Sequence, residues 1–389
     1  MFKLTPFRMV FVLSILLLPQ CLWAQSAGPE GSQAPAAEGV RPTVAKTELI
    51  APQLQQRAKD AIDKGVRYLR QQQADDGSYG HHVGLTAMTL LAMAESPRKY
   101  TPGDGPFIRR GLEFIASQAR ANGSITGEET PTYNTALAIM ALYALDREKY
   151  KKEIEGGQRF LVKFQSDEDQ NYSKKDKYYG GIGYGGDERP DLSNLQYALE
   201  ALKKTDFDKE SDVWEKAELF VKRCQNFTEE DDKDVLERPW ASNDGGFIYE
   251  PGASRAGGTK SYGAMTFAGL KSLMFTKESN KNDPRVKAAL GWIQENYDFN
   301  THPGMGTTAY FYYLQTAASA LEAYGENYLP SNNGPQHNWG ADLVSKFIYL
   351  QQGDGSWVNE DRKYWEGNKI LVTARAIITL NHVFRAAGL

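Results

Sequence analysis

Six short segments of this chain can be laid over one another without a gap, and their shared pattern leaves few folds open. They are TAMTLLAM from Thr86, TALAIMAL from Thr135, LQYALEAL from Leu195, TFAGLKSL from Thr266, LQTAASAL from Leu314 and TARAIITL from Thr373. One column holds Thr89, Ala138, Ala198, Gly269, Ala317 and Ala376; another holds Ala92, Ala141, Ala201, Ser272, Ala320 and Thr379. Segments that are apolar on most sides describe buried helices, and small residues one turn apart let such helices approach closely. Ahead of each stands a more amphipathic stretch, from AKDAIDKGVRYLRQQQ before the first to ADLVSKFIYLQQ before the last. Charge on one side and aromatic or aliphatic groups on the other suit an outer layer. The pattern predicts an all-α chain, a six-pair (α/α)6 toroid of alternating outer and inner helices. Its spacing of roughly 48 to 71 residues exceeds the units of open helical superhelices.

The extra length lies between outer and inner helices and carries a recurrent phrase. Gln73 is followed by Asp76-Gly77-Ser78-Tyr79, Gln118 by Asn122-Gly123-Ser124, Gln165 by Gly180 and Gly181, Gln225 by Asp244-Gly245-Gly246-Phe247, Gln294 by Gly304 and Gln352 by Asp354-Gly355-Ser356-Trp357. Glycine after Asp or Asn permits a positive φ. The glutamine is suited to bonding carbonyls freed at the end of its own helix. The phrase reads as architecture.

Glutamine, a short spacer, glycine and an aromatic, repeated around an α/α ring, resembles the QW-type repeat of squalene–hopene cyclases and protein prenyltransferase β subunits. The resemblance spans residues 51–389 and implies their terpenoid cyclase/prenyltransferase type of toroid. The chemistry of those families does not follow with it. Cyclases protonate an alkene with an Asp-x-Asp-Asp acid, for which this chain has only Asp167 to Asp169, Asp206 to Asp208 and Asp232 to Asp234, all in hydrophilic stretches. The metal-dependent Asp-Asp-x-x-Asp pattern fails because Asp231-Asp232 leads to Val235. Where prenyltransferases hold zinc, the sequence reads Thr259-Lys260-Ser261-Tyr262, and the five histidines lack ligand spacing. Cys224-Gln225-Asn226-Phe227 is not the Cys-Gly-Glu-Gln of thioester toroids, so Cys224 reads as a small buried hydrophobe. No cofactor and no metal are expected.

The first residues read as an address. Lys3 and Arg8 precede an apolar run from Met9 to Leu18, and Ala24 offers a small residue for cleavage, so residues 1–24 are expected to be a signal peptide and the protein to be exported, periplasmic or secreted. Cys21 raises a lipoprotein anchor as a rival, against which the bulk of Gln20 counts. Residues 25–50, rich in Ala, Gly, Pro and Ser, read as a flexible linker, and 51–389 as the toroid domain. A net charge of −4 without a Lys/Arg stripe speaks against nucleic acid. No later hydrophobic run has the length of a membrane span.

Loops that enter the inner helices open on one face of the ring, where helix N-termini also present partial positive charge. The ligand-binding candidates there are His82, Tyr133, Asn134, Asp191, Asn194, Tyr262, Tyr310 and Trp365, with Asp191 the one candidate for catalysis. Stacking puts Asn134 and Asn194 in one column. Asp191 also fits a helix N-cap, and at most two of the consecutive aromatics Tyr310 to Tyr313 can face a cavity. The expected function is a terpenoid-cyclase-like repeat protein that binds an isoprenoid, lipid or glycan ligand, or a protein partner, at this loop-rich mouth. An active terpene cyclase or prenyltransferase-like enzyme is the first alternative. A carbohydrate-active (α/α)6 enzyme is the second. The insertions at 166–190 and 226–257 suit either a lid or a docking surface.

Overall fold

The computed structural model describes residues 49–127, 130–185, 189–228, 234, 236–276, 280–331 and 334–389. The expected leader with Cys21, the linker up to residue 48, Glu128, Glu129 and the Asp231-Asp232 pair lie outside the described residues. Among the described residues there are twelve α-helices and no β-strand. Six form an outer layer: α1 (Pro52–Gln71), α3 (Pro106–Ser117), α5 (Lys151–Lys163), α7 (Val213–Cys224), α9 (Pro284–Glu295) and α11 (Trp339–Leu350). Six are inner: α2 (Val83–Ala94), α4 (Pro131–Asp146), α6 (Leu192–Lys204), α8 (Gly263–Phe275), α10 (Tyr310–Tyr324) and α12 (Lys369–Ala386). Each inner helix packs on the next, and α12 packs back on α2, so the ring is closed. The (α/α)6 toroid is the fold. Leu49 and Ile50, at the end of the expected linker, are buried and belong to the packed chain.

In four of the six repeats the recurrent phrase ties its turn to the next outer helix, rather than serving its own helix end as the sequence suggested. The side-chain amide of Gln73 donates to Gly77 O in its own turn and to Phe107 O of α3. Gln165 does the same with Gly180 O and Val213 O of α7, and Gln225 with Gly245 O and Arg285 O of α9. In the last repeat the bridging residue is Gln351, not Gln352: it donates to Gly355 O and to Ala61 O of α1. Gln118 takes no such role and reaches only its neighbour Ser117. The phrase appears near both ends of the chain because the last copy must grip the first helix.

A second seam joins the phrase to its own inner helix. The backbone N–H groups of Tyr79, Ile125, Phe247 and Trp357 donate to the hydroxyls of Thr86, Thr135, Thr266 and Thr373. The buried peptide donors of an extended segment thus find partners without a sheet. Cys224 is buried on outer helix α7, as its neighbours in sequence suggested.

The end of the ring away from the loops closes on charge. Glu200 and Lys204 of α6, Lys271 of α8, Glu322 of α10, His382 and Arg385 of α12, and Glu95 at the end of α2 alternate in sign. Lys271 sits 2.7 Å from Glu200, Lys204 bridges Glu95 and Glu200 at 2.9 and 3.1 Å, and Arg385 bridges Glu95 and Glu322 at 2.9 and 2.7 Å.

Candidate functional site

At the opposite end a cavity of ≈ 300 Å³ opens where the inner helices begin. The third residue of every inner helix lines it: Leu85, Tyr133, Asn194, Met265, Tyr312 and Leu371. One helical turn deeper, Met88 of α2 and Arg375 of α12 also face it. Apolar and aromatic groups dominate, and among the described residues no carboxylate is part of the wall.

Of the residues singled out from the sequence, His82, Tyr133, Asn194, Tyr262 and Trp365 line this cavity. His82 caps α2, its Nδ1 accepting from Leu85 N, and meets Trp365 edge-on with centroids 5.3 Å apart. The Tyr133 hydroxyl accepts from Arg375 at 2.9 Å. Asn194 donates to the Asp191 carboxylate at 2.8 Å. Tyr262 is the residue before α8 and is buried. Trp365 stays half-exposed at the rim.

Three of them stand elsewhere. Asn134 is buried one position round α4 from Tyr133, a rotation of about 100°, and donates to Thr126. Tyr310 turns its hydroxyl outward to Phe299 O at 2.5 Å, and Tyr312 takes the cavity position instead. Asp191 lies behind the wall as the N-cap of α6, its Oδ1 accepting from Asn194 N at 2.9 Å. The shared column of Asn134 and Asn194 therefore splits. In α4, α10 and α12 the lining falls one residue ahead of the stacked column; α4 and α10 start from left-handed residues, Thr130 at φ 46° and Ala309 at φ 54°, whereas α12 starts from Asn368 at φ −87°.

Left-handed backbone is uncommon for residues other than glycine and gathers where a site over-determines the local structure. Thr130, Ala309, Tyr364 and Trp365 all adopt it, and all four line this cavity. Tyr364 and Trp365 do so consecutively, which holds two large, half-exposed rings over the opening.

The two long insertions meet at this mouth. Tyr178 donates to Glu250 at 3.0 Å, Lys177 to Pro251 O at 3.1 Å, and the hydroxyls of Tyr184 and Tyr249 lie 3.0 Å apart. Together they supply Tyr184, Tyr249 and Arg255 to the wall, with the Arg255 guanidinium 4.2 Å from the Tyr249 ring centre. His302 also lines the cavity. Its Nε2 accepts from Ala264 N at 2.9 Å and its Nδ1–H faces Thr308 O at 2.8 Å, which fixes one neutral tautomer. Burial pushes its pKa down to about 4, so it remains uncharged at neutral pH. No group of three or more His, Cys, Asp or Glu among the described residues is placed to hold a metal ion.

Burial pushes the Asp191 carboxyl up to about 6, against the hydrogen bonds from Asn194 and Tyr249 that favour its charged form. The folded chain therefore binds this proton more tightly than the unfolded chain. Its contribution to stability grows as pH falls from about 6 towards 3.8 and is lost as pH rises again. Asp191→Asn keeps an acceptor for the α6 cap and removes the titration. Melting curves at pH 5 and pH 7 should then differ less for the variant than for the wild type; an unchanged difference would place the proton elsewhere.

No family model and no curated protein sequence matches this chain. Solved structures do share its fold. A variant of the type II terpene cyclase MstE from Scytonema, with its substrate geranylgeranyl dihydroxybenzoate bound, aligns at TM-score 0.54 and 12% identity, covering 86% of this chain and 100% of its own. The ligand-free form of a variant of the same cyclase gives 0.55 at 12% identity, over 87% and 100%. A glycosidase aligns at 0.52 and 11% identity, over 87% of this chain and 99% of its own. At such identities the likeness establishes the toroid and nothing finer.

Proposed function

We propose that this chain is an exported small-molecule-binding toroid that takes an apolar, isoprenoid-like chain into the cavity at the loop-rich mouth. The observation that carries this is the cavity wall itself: Leu85, Met88, Met265 and Leu371 beside Tyr133, Tyr262 and Tyr312, under the rings of Tyr364 and Trp365. Concave, mostly apolar sites with a few convergent polar groups are where folds hold ligands. Methionine adapts to irregular chains, and aromatic faces suit unsaturated ones. Among the described residues the wall lacks the paired carboxylates that glycoside hydrolysis requires, which supports this choice over a sugar substrate. Export rests on the basic and apolar leader ahead of Ala24.

Trp365 is the residue to remove first, because it is half-exposed and truncation should leave stability within about 0.5 kcal/mol. Farnesol, followed by titration calorimetry, should bind the wild type and bind Trp365→Ala about tenfold more weakly, as loss of an aromatic anchor implies. Equal affinity for the two proteins would remove the mouth from the reading.

A second reading has one observation in its favour. The buried Asp191 carboxyl connects through the Tyr249 hydroxyl to Tyr184 on the cavity wall, a path from an acid to the cavity. An acid of pKa about 6 is matched to general acid catalysis near neutrality. Under this reading, wild-type protein incubated with farnesol releases a cyclised product detectable by gas chromatography, and Asp191→Asn releases none. Absence of any product from the wild type leaves binding as the function.

A further inference from the structure

The deepest polar group of the cavity is a cation without a counter-ion in contact. Arg375 is 7% exposed and projects from inner helix α12. Its partners are neutral: the Tyr133 hydroxyl at 2.9 Å, the Tyr197 hydroxyl at 3.2 Å and Gln315 Oε1 at 2.6 Å, with the face of Tyr312 5.1 Å away. Its Nε has no hydrogen-bond partner. Among the described residues no carboxylate forms an ion pair with it. Glu366 acts on it only through space, because its own oxygens accept from Phe311 N, Tyr312 N and the Asn359 amide. At the other end of the same ring Lys271, Lys204 and Arg385 each touch a carboxylate, so the omission is local to the cavity.

A buried charge is costly unless it is paired. The six inner helices also direct their N-termini, and so their partial positive charge, at this space. We propose that the ligand supplies the missing charge: the cavity binds an amphipathic carboxylate head-down, with its anionic group on Arg375 and its apolar chain running towards Tyr364 and Trp365. This deepens the proposed function and rests on it. The guanidinium offers its unpartnered Nε–H to a carboxylate oxygen, and Tyr133, whose hydroxyl accepts from Arg375, stands beside it on the cavity wall. A diphosphate fits less well, because the floor presents a single cation and the second arginine of the wall, Arg255, stands on Tyr249 in the insertion. A single negative charge matches a single guanidinium.

The test compares farnesoic acid with farnesol, the same chain with and without the carboxylate, by titration calorimetry on the full protein at pH 8. The wild type should prefer the acid by roughly 10- to 100-fold, the range expected of a hydrogen bond to a charged group. Arg375→Gln should lose that preference and still bind farnesol. Arg375→Lys, which keeps a cation on a flexible chain, should retain part of it and guards against a folding defect in the first variant. Equal affinity of the wild type for acid and alcohol, or a preference that survives in Arg375→Gln, would overturn the assignment while leaving the apolar cavity as a binding site. Failure of both compounds to bind the wild type would overturn both readings.

Discussion

Glu200→Ala should cost about 3–5 kcal/mol of folding stability, the loss that follows when one partner of a buried ion pair is removed. Glu200 is buried with one oxygen on Lys271 and the other on Lys204. Burial alone pushes the Lys271 ammonium down, whereas two ammonium groups hold the Glu200 carboxyl well below the usual range. The second effect prevails because the carboxylate has two cationic partners, so the pair is ionised. In the variant Lys271, 2% exposed, keeps no carboxylate in contact. Its folded-state pKa then falls further below that of the unfolded chain, and stability should recover as pH rises towards 10. Urea denaturation at pH 7 and pH 9.5 measures both effects. The double variant Glu200→Met, Lys271→Met should lose far less than the single one, because two apolar groups of similar volume replace the pair. A loss below about 1 kcal/mol in Glu200→Ala, typical of exposed pairs, would mean that water reaches the network.

How much of this was legible in the sequence depends on whether a feature repeats. The ring was, because each inner helix must present small residues to both neighbours, and that demand writes the same columns six times, Ala138 and Ala198 being two of its marks. The phrase was legible as a turn but not as a link. Nothing local in the sequence says that Gln351 reaches α1, since that bond joins residues 290 positions apart. The site was legible by level but not by rotation. Stacking on the threonine column puts Asn134 beside Asn194, yet the left-handed start at Thr130 precedes a helix whose lining falls on Tyr133. The Tyr184–Tyr249 contact was out of reach, because it joins two insertions that share no pattern. Arg375 was the available signal. It stands in TARAIITL, an inner-helix segment with no other charge; Lys271 is the lone cation of TFAGLKSL in the same way, but Glu200 in LQYALEAL offers it a carboxylate, whereas Arg375 finds none in contact.

The two ends of the ring answer different requirements. At the closed end, charges from α2, α6, α8, α10 and α12 satisfy one another, which fixes the helices with respect to each other. At the open end the same helices carry rings, thioethers and one cation that the protein itself leaves without a carboxylate in contact. The left-handed residues that surround the opening belong with that arrangement: backbone strain is sustained where the closed end and the outer layer hold the scaffold rigid.

That rigidity requires closure, and the closing turn provides the sharpest test of it. Gly355 lies at φ +88°, and a Cβ there would meet Lys64 O of α1 at 2.7 Å. Gly77 repeats the arrangement against Arg110 O of α3 at 2.5 Å. Gly355→Ala adds the penalty of a left-handed residue, about 1–2 kcal/mol, to overpacking against backbone, about 1–3 kcal/mol. The expected loss is about 2–5 kcal/mol, and it falls where the last repeat grips the first helix through Gln351 and Gly355 O. Gly353, two residues earlier in the same turn, has no atom within 4 Å of its would-be Cβ and no positive φ. Gly353→Ala should therefore be close to neutral. If closure rigidifies the whole ring, Gly355→Ala should also raise amide exchange in α1 and α12 ahead of α6, on the far side. Exchange that rises evenly around the ring would mean that the repeats unfold as one unit, and that the seam is no weaker than any other joint.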